Sequence, residues 1–256
     1  MQRGIITNLS WAGLLFFLLF TLSALFTKPV DTGGVYFFDE NGAVIWYATG
    51  DTAKCYVVRT TKTIKDIYGL PESADAKLKD ASAYYPAGIN SISQKLYDSV
   101  VRMIKNGFTT DELVRQNIIE VESPAIFREI VDRIPDDGKG DTTLNNNREY
   151  GGMIHRDNSI TKVFAGSRSY PCFGGAGVMI YGAGKAEWHS NRSGTQFTSN
   201  KIMTGGCSFI QPPSKDDLEA VGRRRGYVLG MSSRLIYIYD STGLNATLPF
   251  SWFNRK

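Results

Sequence analysis

The longest apolar stretch of the chain lies at its N-terminus. Residues 4–27 contain no charged side chain and are mostly apolar. About 20 such residues suffice to cross a hydrocarbon layer of ~30 Å. Arg3 precedes this stretch while Asp31 and Asp39 follow it, so the positive-inside tendency places the bulk of the chain outside the cytoplasm, in the periplasm or extracellular space. We expect residues 1–27 to be a single-pass membrane anchor or an uncleaved signal sequence, with a cleaved signal peptide as the rival interpretation.

Residues 28–135 combine a β-hairpin pattern with helical patterns. Two short apolar runs, residues 35–38 and 43–47, flank an Asn-Gly turn that is typical of a hairpin, and residues 55–58 predict another strand. Helical spacing follows from Ser91, with Leu96, Val100 and Ile104 on one stripe. Two further helices are predicted, one with Thr110 as its N-cap and one with proline in its first turn, at Ser123-Pro124.

Residues 136–256 alternate strand and helix patterns, after a break rich in proline and glycine at residues 135–140. Strands are predicted at residues 149–154, 160–164, 178–181, 186–190, 227–229 and 235–239. A helix is predicted from Ser214 to Arg225, with three arginines, residues 223–225, in its last turn. This alternation indicates a mixed α/β domain.

Charge and cysteine content narrow the class of protein. The net charge of +4 is mild and no long basic stretch occurs, so we expect no nucleic-acid partner. The three cysteines, Cys55, Cys172 and Cys207, include no closely spaced pair, which excludes a Cys-x-x-Cys zinc site. Cys172 and Cys207 could form a disulfide outside the cytoplasm, and buried thiols are the alternative.

Four residues of the second half have the chemistry of a zinc-dependent hydrolase. Glu149 lies on a predicted strand, His189 ends another, and Ser214 and Asp217 begin a helix. Imidazole and carboxylate hold zinc, while a second carboxylate accepts a proton from the metal-bound water. A hydroxyl group can donate a hydrogen bond to the developing oxyanion.

The order of these residues resembles the JAMM (JAB/MPN) metallopeptidases, in which a glutamate precedes His-x-His and then Ser-x-x-Asp. Residues 148–154, Arg-Glu-Tyr-Gly-Gly-Met-Ile, look like the opening of the JAB-like domains at the ends of bacterial toxin and Rhs-type proteins. The resemblance covers roughly residues 141–240. It implies that Glu149 is the general base, that His189 and Asp217 are metal ligands, and that Ser214 is the oxyanion donor.

This chain departs from the family pattern at two places. Asn191 replaces the second histidine, and an amide oxygen suits calcium better than zinc. The connection at residues 192–206 is long, polar and glycine-containing, and it predicts a surface loop. Glu187 alternates onto the same strand face as His189 and is a possible substitute ligand. With so few ligands we expect no bound metal, with zinc as the alternative.

Several of these residues also have plain structural interpretations. A serine before a helix with an acid three residues later is a capping-box arrangement, which Ser214 and Asp217 fit. Asp216 is an equal alternative for the ligand role. Glu149 could be paired with Arg148, while Gly151 and Gly152 would let another backbone or a substrate approach closely.

These patterns support three hypotheses about function. The first is a membrane-anchored extracytoplasmic protein whose degenerate JAMM-like domain is a binding or structural module in an envelope, secretion or toxin-related assembly. Its partners would be the membrane, through the N-terminal helix, and proteins of that assembly. The second is an active metal-dependent peptidase or isopeptidase that uses a water activated by Glu149. The third is an unrelated anchored accessory subunit of a membrane complex.

Overall fold

The chain forms two mixed β-sheets with helices packed on them. The structure, a computed structural model, describes residues 33–68, 87–140, 142–168, 177–196, 207–208 and 211–254. Within these residues the helices are α1 (Ile64–Tyr68), α2 (Gln94–Lys105), α3 (Glu112–Gln116), α4 (Pro124–Arg133) and α5 (Lys215–Val221). The strands are β1 (Gly34–Phe38), β2 (Val44–Thr49), β3 (Ala53–Val58), β4 (Ile118–Val121), β5 (Tyr150–Ile154), β6 (Phe164–Ala165), β7 (Ala186–Asn191), β8 (Thr195–Gln196), β9 (Cys207–Ser208), β10 (Arg225–Gly230), β11 (Leu235–Asp240) and β12 (Gly243–Pro249).

The first sheet has four strands in the order β2-β1-β3-β4. The predicted hairpin is confirmed, because β1 and β2 pair antiparallel around a turn in which the Asp39 side chain accepts hydrogen bonds from the backbone of Asn41 and Ala43. Gly42 takes a φ of +73°, which glycine adopts without steric cost. The predicted third strand, β3, lies parallel to β1, and β4 joins its other edge.

The predicted helices of this region form, with small changes at their starts. Ser93 caps α2 by accepting a hydrogen bond from Leu96. Of the predicted stripe the helix buries Val100 and Ile104, while Leu96 is only partly buried. Asp111, rather than Thr110, caps α3, because the aspartate side chain accepts the hydrogen bond of Leu113. Proline begins α4 as predicted.

The second sheet has six strands in the order β12-β11-β10-β7-β5-β6. Strands β7 and β10 are parallel, and every other neighbouring pair is antiparallel. The strands predicted at residues 149–154, 186–190, 227–229 and 235–239 are confirmed. An unpredicted strand, β12, forms one edge of the sheet. The predicted mixed α/β class is therefore confirmed, while its JAMM-like character stays a prediction.

At the other edge of this sheet, two strand predictions were wrong or only partly right. The segment at residues 178–181 forms no strand, and the side chains of Val178 and Ile180 instead lie over Gly151. In the run at residues 160–164, Ile160 makes an isolated bridge to Ile154, and only Phe164 belongs to the short edge strand β6, where it pairs with Gly151.

The helix before β10 is shorter than predicted. It ends at Gly222, whose φ of +62° leaves the helical region. The three arginines therefore lie beyond the helix and not in its last turn, and Arg225 is already the first residue of β10. Leu218 and Val221 end the apolar side of the helix, so little burial would be gained by extending it.

The long connection after β7 is only partly a surface loop. Arg192 and Ser193 are buried, which corrects the prediction for its first residues. Strands β8 and β9 then pair with each other, and residues 197–206 lie outside the described residues. The proposed Cys172–Cys207 disulfide also falls there, since Cys172 and the side chain of Cys207 are not described.

One hydrophobic core joins the two sheets. Phe38 and Phe127, from before residue 135, pack in it with Tyr227 and Trp252, from after that residue. The ring of Phe127 meets that of Tyr227 edge to face at 5.0 Å, and Phe38 meets Trp252 at 5.3 Å. None of the helices in the described part of the chain has the length and apolarity needed to span a bilayer. The anchor predicted at residues 1–27 lies outside the described residues.

Candidate functional site

The predicted site residues gather on one face of the six-stranded sheet, here called the His189 face. Because side chains alternate along a strand, β7 presents Glu187, His189 and Asn191 on this face, and all three are buried. Helix α5 packs on the same face through Leu218 and Val221. The residues of the candidate site thus lie between a sheet and a helix.

His189 and Asp217 come together as the resemblance implies. Their Nε2 and Oδ1 atoms are 3.6 Å apart. Two ligands of a tetrahedral zinc ion, each at ~2.1 Å from it, are separated by about 3.4 Å. The spacing arises because β7 and β10 are parallel neighbours, while the helix that leads into β10 folds back over them. The spacing of this pair is close to that of two ligands of one ion.

Ser214 and the other oxygen of Asp217 are engaged in a capping box. The Asp217 Oδ2 atom accepts hydrogen bonds from the backbone N and the hydroxyl of Ser214, at 2.6 and 2.8 Å. In return the Ser214 Oγ atom accepts the backbone N–H of Asp217 at 3.2 Å. The hydroxyl proton is therefore directed at a carboxylate, so the predicted oxyanion donor serves as a helix cap in this structure.

Asn191, at the position of the second family histidine, binds backbone. Its Nδ2 atom donates hydrogen bonds to the carbonyls of Gln211 and Pro212, at 2.9 and 3.2 Å. These bonds fix the segment that precedes helix α5. The side chain at this position therefore holds the loop in place.

Glu187, the alternative ligand, is paired with an arginine. Its Oε2 atom accepts a hydrogen bond from Nη2 of Arg224 at 2.9 Å. Burial raises the pKa of Glu187, while the positive charge of Arg224 opposes that rise. Sequence reasoning missed this pair because it assigned the arginines to a solvated helix end.

Glu149, the predicted general base, forms an ion pair with a buried arginine. Its Oε1 atom lies 3.1 Å from Nη2 of Arg192, whose side chain is 1% exposed. Its Oε2 atom accepts the backbone N–H of Val178 at 3.2 Å. The sequence suggested Arg148 as the partner, but the guanidinium of Arg148 donates instead to the carbonyl of Gly166.

The two glycines after Glu149 make room for side chains of this chain. A methyl group on Gly151 would collide with Val178 and Ile180, and one on Gly152 would press on Thr161 and the ring of Trp188. The close approach predicted at these glycines therefore comes from internal packing rather than from another backbone or a substrate.

A buried tyrosine completes the His189 face and was read from the sequence only as part of an ordinary strand pattern. The hydroxyl of Tyr239 is fully buried without a hydrogen-bond partner. Burial raises its pKa well above the usual range, and the charges of Asp217 and Glu187 act in the same direction. Its ring occupies the space above Gly226 on the neighbouring strand. A glycine opposite an aromatic residue was the available signal for this packing.

The described residues contain no group of three or more histidine, cysteine, aspartate or glutamate side chains placed to hold a metal ion. The second histidine, His155, follows the end of β5 in a turn closed by its backbone bond to Ser159. The side chains that the structure brings together therefore do not fit a catalytic zinc site, which takes three protein ligands and a water.

The chain matches no protein-family model, no curated protein and no solved structure. The similarity to the JAMM family accordingly depends on the residues and their order alone.

Proposed function

We propose that the chain is a membrane-anchored extracytoplasmic protein whose C-terminal region, residues 136–256, is a degenerate JAMM-like domain. It acts as a binding or structural module in an envelope, secretion or toxin-related assembly. The observation that carries this proposal is the ion pair between Glu149 and Arg192. One carboxylate oxygen of Glu149 is held by the buried Arg192 guanidinium and the other by the backbone N–H of Val178, so both oxygens already have partners within the chain.

The remaining groups of the constellation support the same conclusion. The serine hydroxyl is directed at Asp217, the asparagine amide holds two backbone carbonyls, and Glu187 is bound to Arg224. Each residue that could complete a hydrolytic site has an internal partner that stabilises the fold. A domain in which the candidate catalytic groups stabilise the fold in this way is suited to a binding or structural role.

The metal content of the full-length chain tests this proposal. We expect zinc well below one ion per chain after incubation with equimolar zinc and gel filtration, and the same amount in His189→Ala. The variant His155→Ala is the matched control, since it removes the chain's other histidine away from the His189 face. Stoichiometric zinc that is lost in His189→Ala and kept in His155→Ala would refute the proposal that the site is degenerate.

The membrane anchor is tested separately, by location. We expect the full-length protein to stay with the membrane after a carbonate wash, and the region beyond residue 28 to be cut by protease added outside intact cells. Recovery of the whole chain in the soluble fraction, with an N-terminus beyond residue 27, would instead support a cleaved signal peptide.

One observation favours the second candidate function, a metal-dependent peptidase. The 3.6 Å spacing of His189 and Asp217 suits two ligands of one ion. Activity would require a third ligand, from Glu187 or Asn191, and release of Glu149 from Arg192. Zinc-dependent peptide hydrolysis that is abolished by Glu149→Gln would support this candidate over the first.

A further inference from the structure

A cleft of about 300 Å³ lies where β4 meets the start of β7 and β10. Five of its six lining residues are charged, and the set is Glu120, Val121, Glu122, Lys185, Arg223 and Arg225. We call it the charged cleft. Its size is at the lower end of the range for small-molecule sites.

The parallel pairing of β7 and β10 brings the cations of the cleft together. Arg225 pairs in register with Ala186, the residue after Lys185, so both cations lie where the two strands begin, and both line the cleft. The end of β4 is held against them, since the backbone N–H of Glu122 donates to the hydroxyl of Tyr227 at 3.3 Å. Tyr227 belongs to the core between the sheets, so the cleft lies on the opposite side of the six-stranded sheet from the His189 face.

The charges in the cleft do not balance. Nζ of Lys185 lies 2.6 Å from Oε2 of the buried Glu122, so these two neutralise each other. Arg223 and Arg225 remain, against the exposed Glu120. Within the described part of the chain, neither arginine has a carboxylate within the 4.0 Å of an ion pair. One positive charge is left in excess in the cleft. The half-buried guanidinium of Arg225 hydrogen-bonds the hydroxyl of Tyr227 and is attracted to Glu122 and Glu120, but neither carboxylate pairs with it directly.

We propose that the charged cleft binds a small anionic ligand through a carboxylate or phosphate group held by Arg225. A partly buried charge is costly unless it is paired, and a guanidinium pairs with such groups through two parallel hydrogen bonds. Arg223 at the rim adds attraction, while Lys185 is fixed by Glu122 and positions the wall of the cleft. The proposal is independent of the function assigned to the His189 face.

Calorimetric titration of the full-length chain tests the proposal, with orthophosphate and citrate as separate probes at constant ionic strength. We expect saturable binding of one of them with one site per chain, and which one binds distinguishes a phosphate ligand from a carboxylate ligand. Arg225→Gln should weaken this binding at least ~10-fold, because a hydrogen bond to a charged group contributes about 1.5–3 kcal/mol.

Two further variants keep the test decisive. Arg102→Gln removes the same charge from the exposed side of α2, and it should leave binding within about twofold, since charges more than a Debye length away are screened. Glu120→Gln removes the competing carboxylate and should tighten binding about two- to fivefold. Because Glu120 is exposed, this variant should fold, and its effect on binding still tests the proposal if Arg225→Gln fails to fold. The absence of saturable binding, or equal binding by wild type, Arg225→Gln and Glu120→Gln, would overturn the proposal.

Discussion

The substitution Glu149→Gln separates a structural glutamate from a catalytic one. It keeps the size of the side chain and one carbonyl oxygen, and it removes the negative charge opposite Arg192. If Glu149 is structural, as proposed, the substitution mainly lowers the free energy of unfolding, because the guanidinium of Arg192 stays buried without its counter-charge.

The magnitude follows from the separation and the burial of this pair. At 3.1 Å and an effective dielectric constant of ~20, two unit charges attract by about 5 kcal/mol. The Glu149 side chain is 18% exposed, so water screens part of this attraction. We expect a loss of about 3 kcal/mol in the free energy of unfolding, at the lower end for breaking a buried pair. For a chain of this length that lowers Tm by about 6–12 °C.

The assay is urea unfolding of the full-length chain, with a matched control and a double-mutant cycle. Glu219→Gln is the control, because it breaks the exposed pair with Lys215 at 3.8 Å and should cost less than about 0.5 kcal/mol. In the cycle, Glu149→Gln and Arg192→Gln combined should cost clearly less than the sum of the single changes.

Two results would refute this reasoning. A Glu149→Gln variant as stable as wild type would show that the ion pair does not hold this part of the fold. Additive costs in the cycle would show that the two side chains act separately. Unchanged stability together with lost zinc-dependent hydrolysis would identify Glu149 as a base.

Three further predictions concern the His189 face. Ser214→Ala should lower the free energy of unfolding by about 1 kcal/mol, because the helix cap is lost. The control Ser91→Ala, at an exposed loop position, should leave it almost unchanged. Equal effects of the two substitutions would contradict the capping role. Gly226→Ala should destabilise the chain by about 1–3 kcal/mol, because its methyl group would overlap the buried ring of Tyr239, and a neutral result in a thermal melt would refute that packing. Burial raises the pKa of Glu187, so the folded chain binds more protons than the unfolded chain just above pH ~4, and stability falls as pH rises through this interval. In Glu187→Gln this decrease in the free energy of unfolding should be absent. If the free energies of unfolding of the variant and the wild type differ by the same amount at every pH, the prediction is wrong.

Local patterns in the sequence predicted most of the elements correctly. The Asn-Gly turn specified the first hairpin, and Ser123-Pro124 specified the start of α4. The capping-box spacing of Ser214 and Asp217 was readable in advance, and the structure contains that box. These predictions succeeded because turns, caps and helix starts depend on residues within about four positions of one another.

Where the sequence failed, a partner distant in the chain decided the outcome. The run at residues 178–181 has a strand pattern, yet its apolar side chains cover Gly151 instead of pairing. The arginines after Gly222 resembled a helix end, but Arg224 is bound to Glu187 from a strand 37 positions away. Tertiary packing can override local propensity in this way because it buries more apolar surface and supplies partners for partly buried charges.

The same distinction between local pattern and distant partner applies to the candidate site. The sequence by itself determined which residue types could do chemistry, and strand alternation placed Glu187 and His189 on one face. Only the tertiary structure decided that Asp217 lies beside His189, and that the carboxylate of Glu149 is bound by Arg192. The pairing of β7 with β10 and the burial of Arg192 control these contacts, and neither leaves a local mark on the sequence.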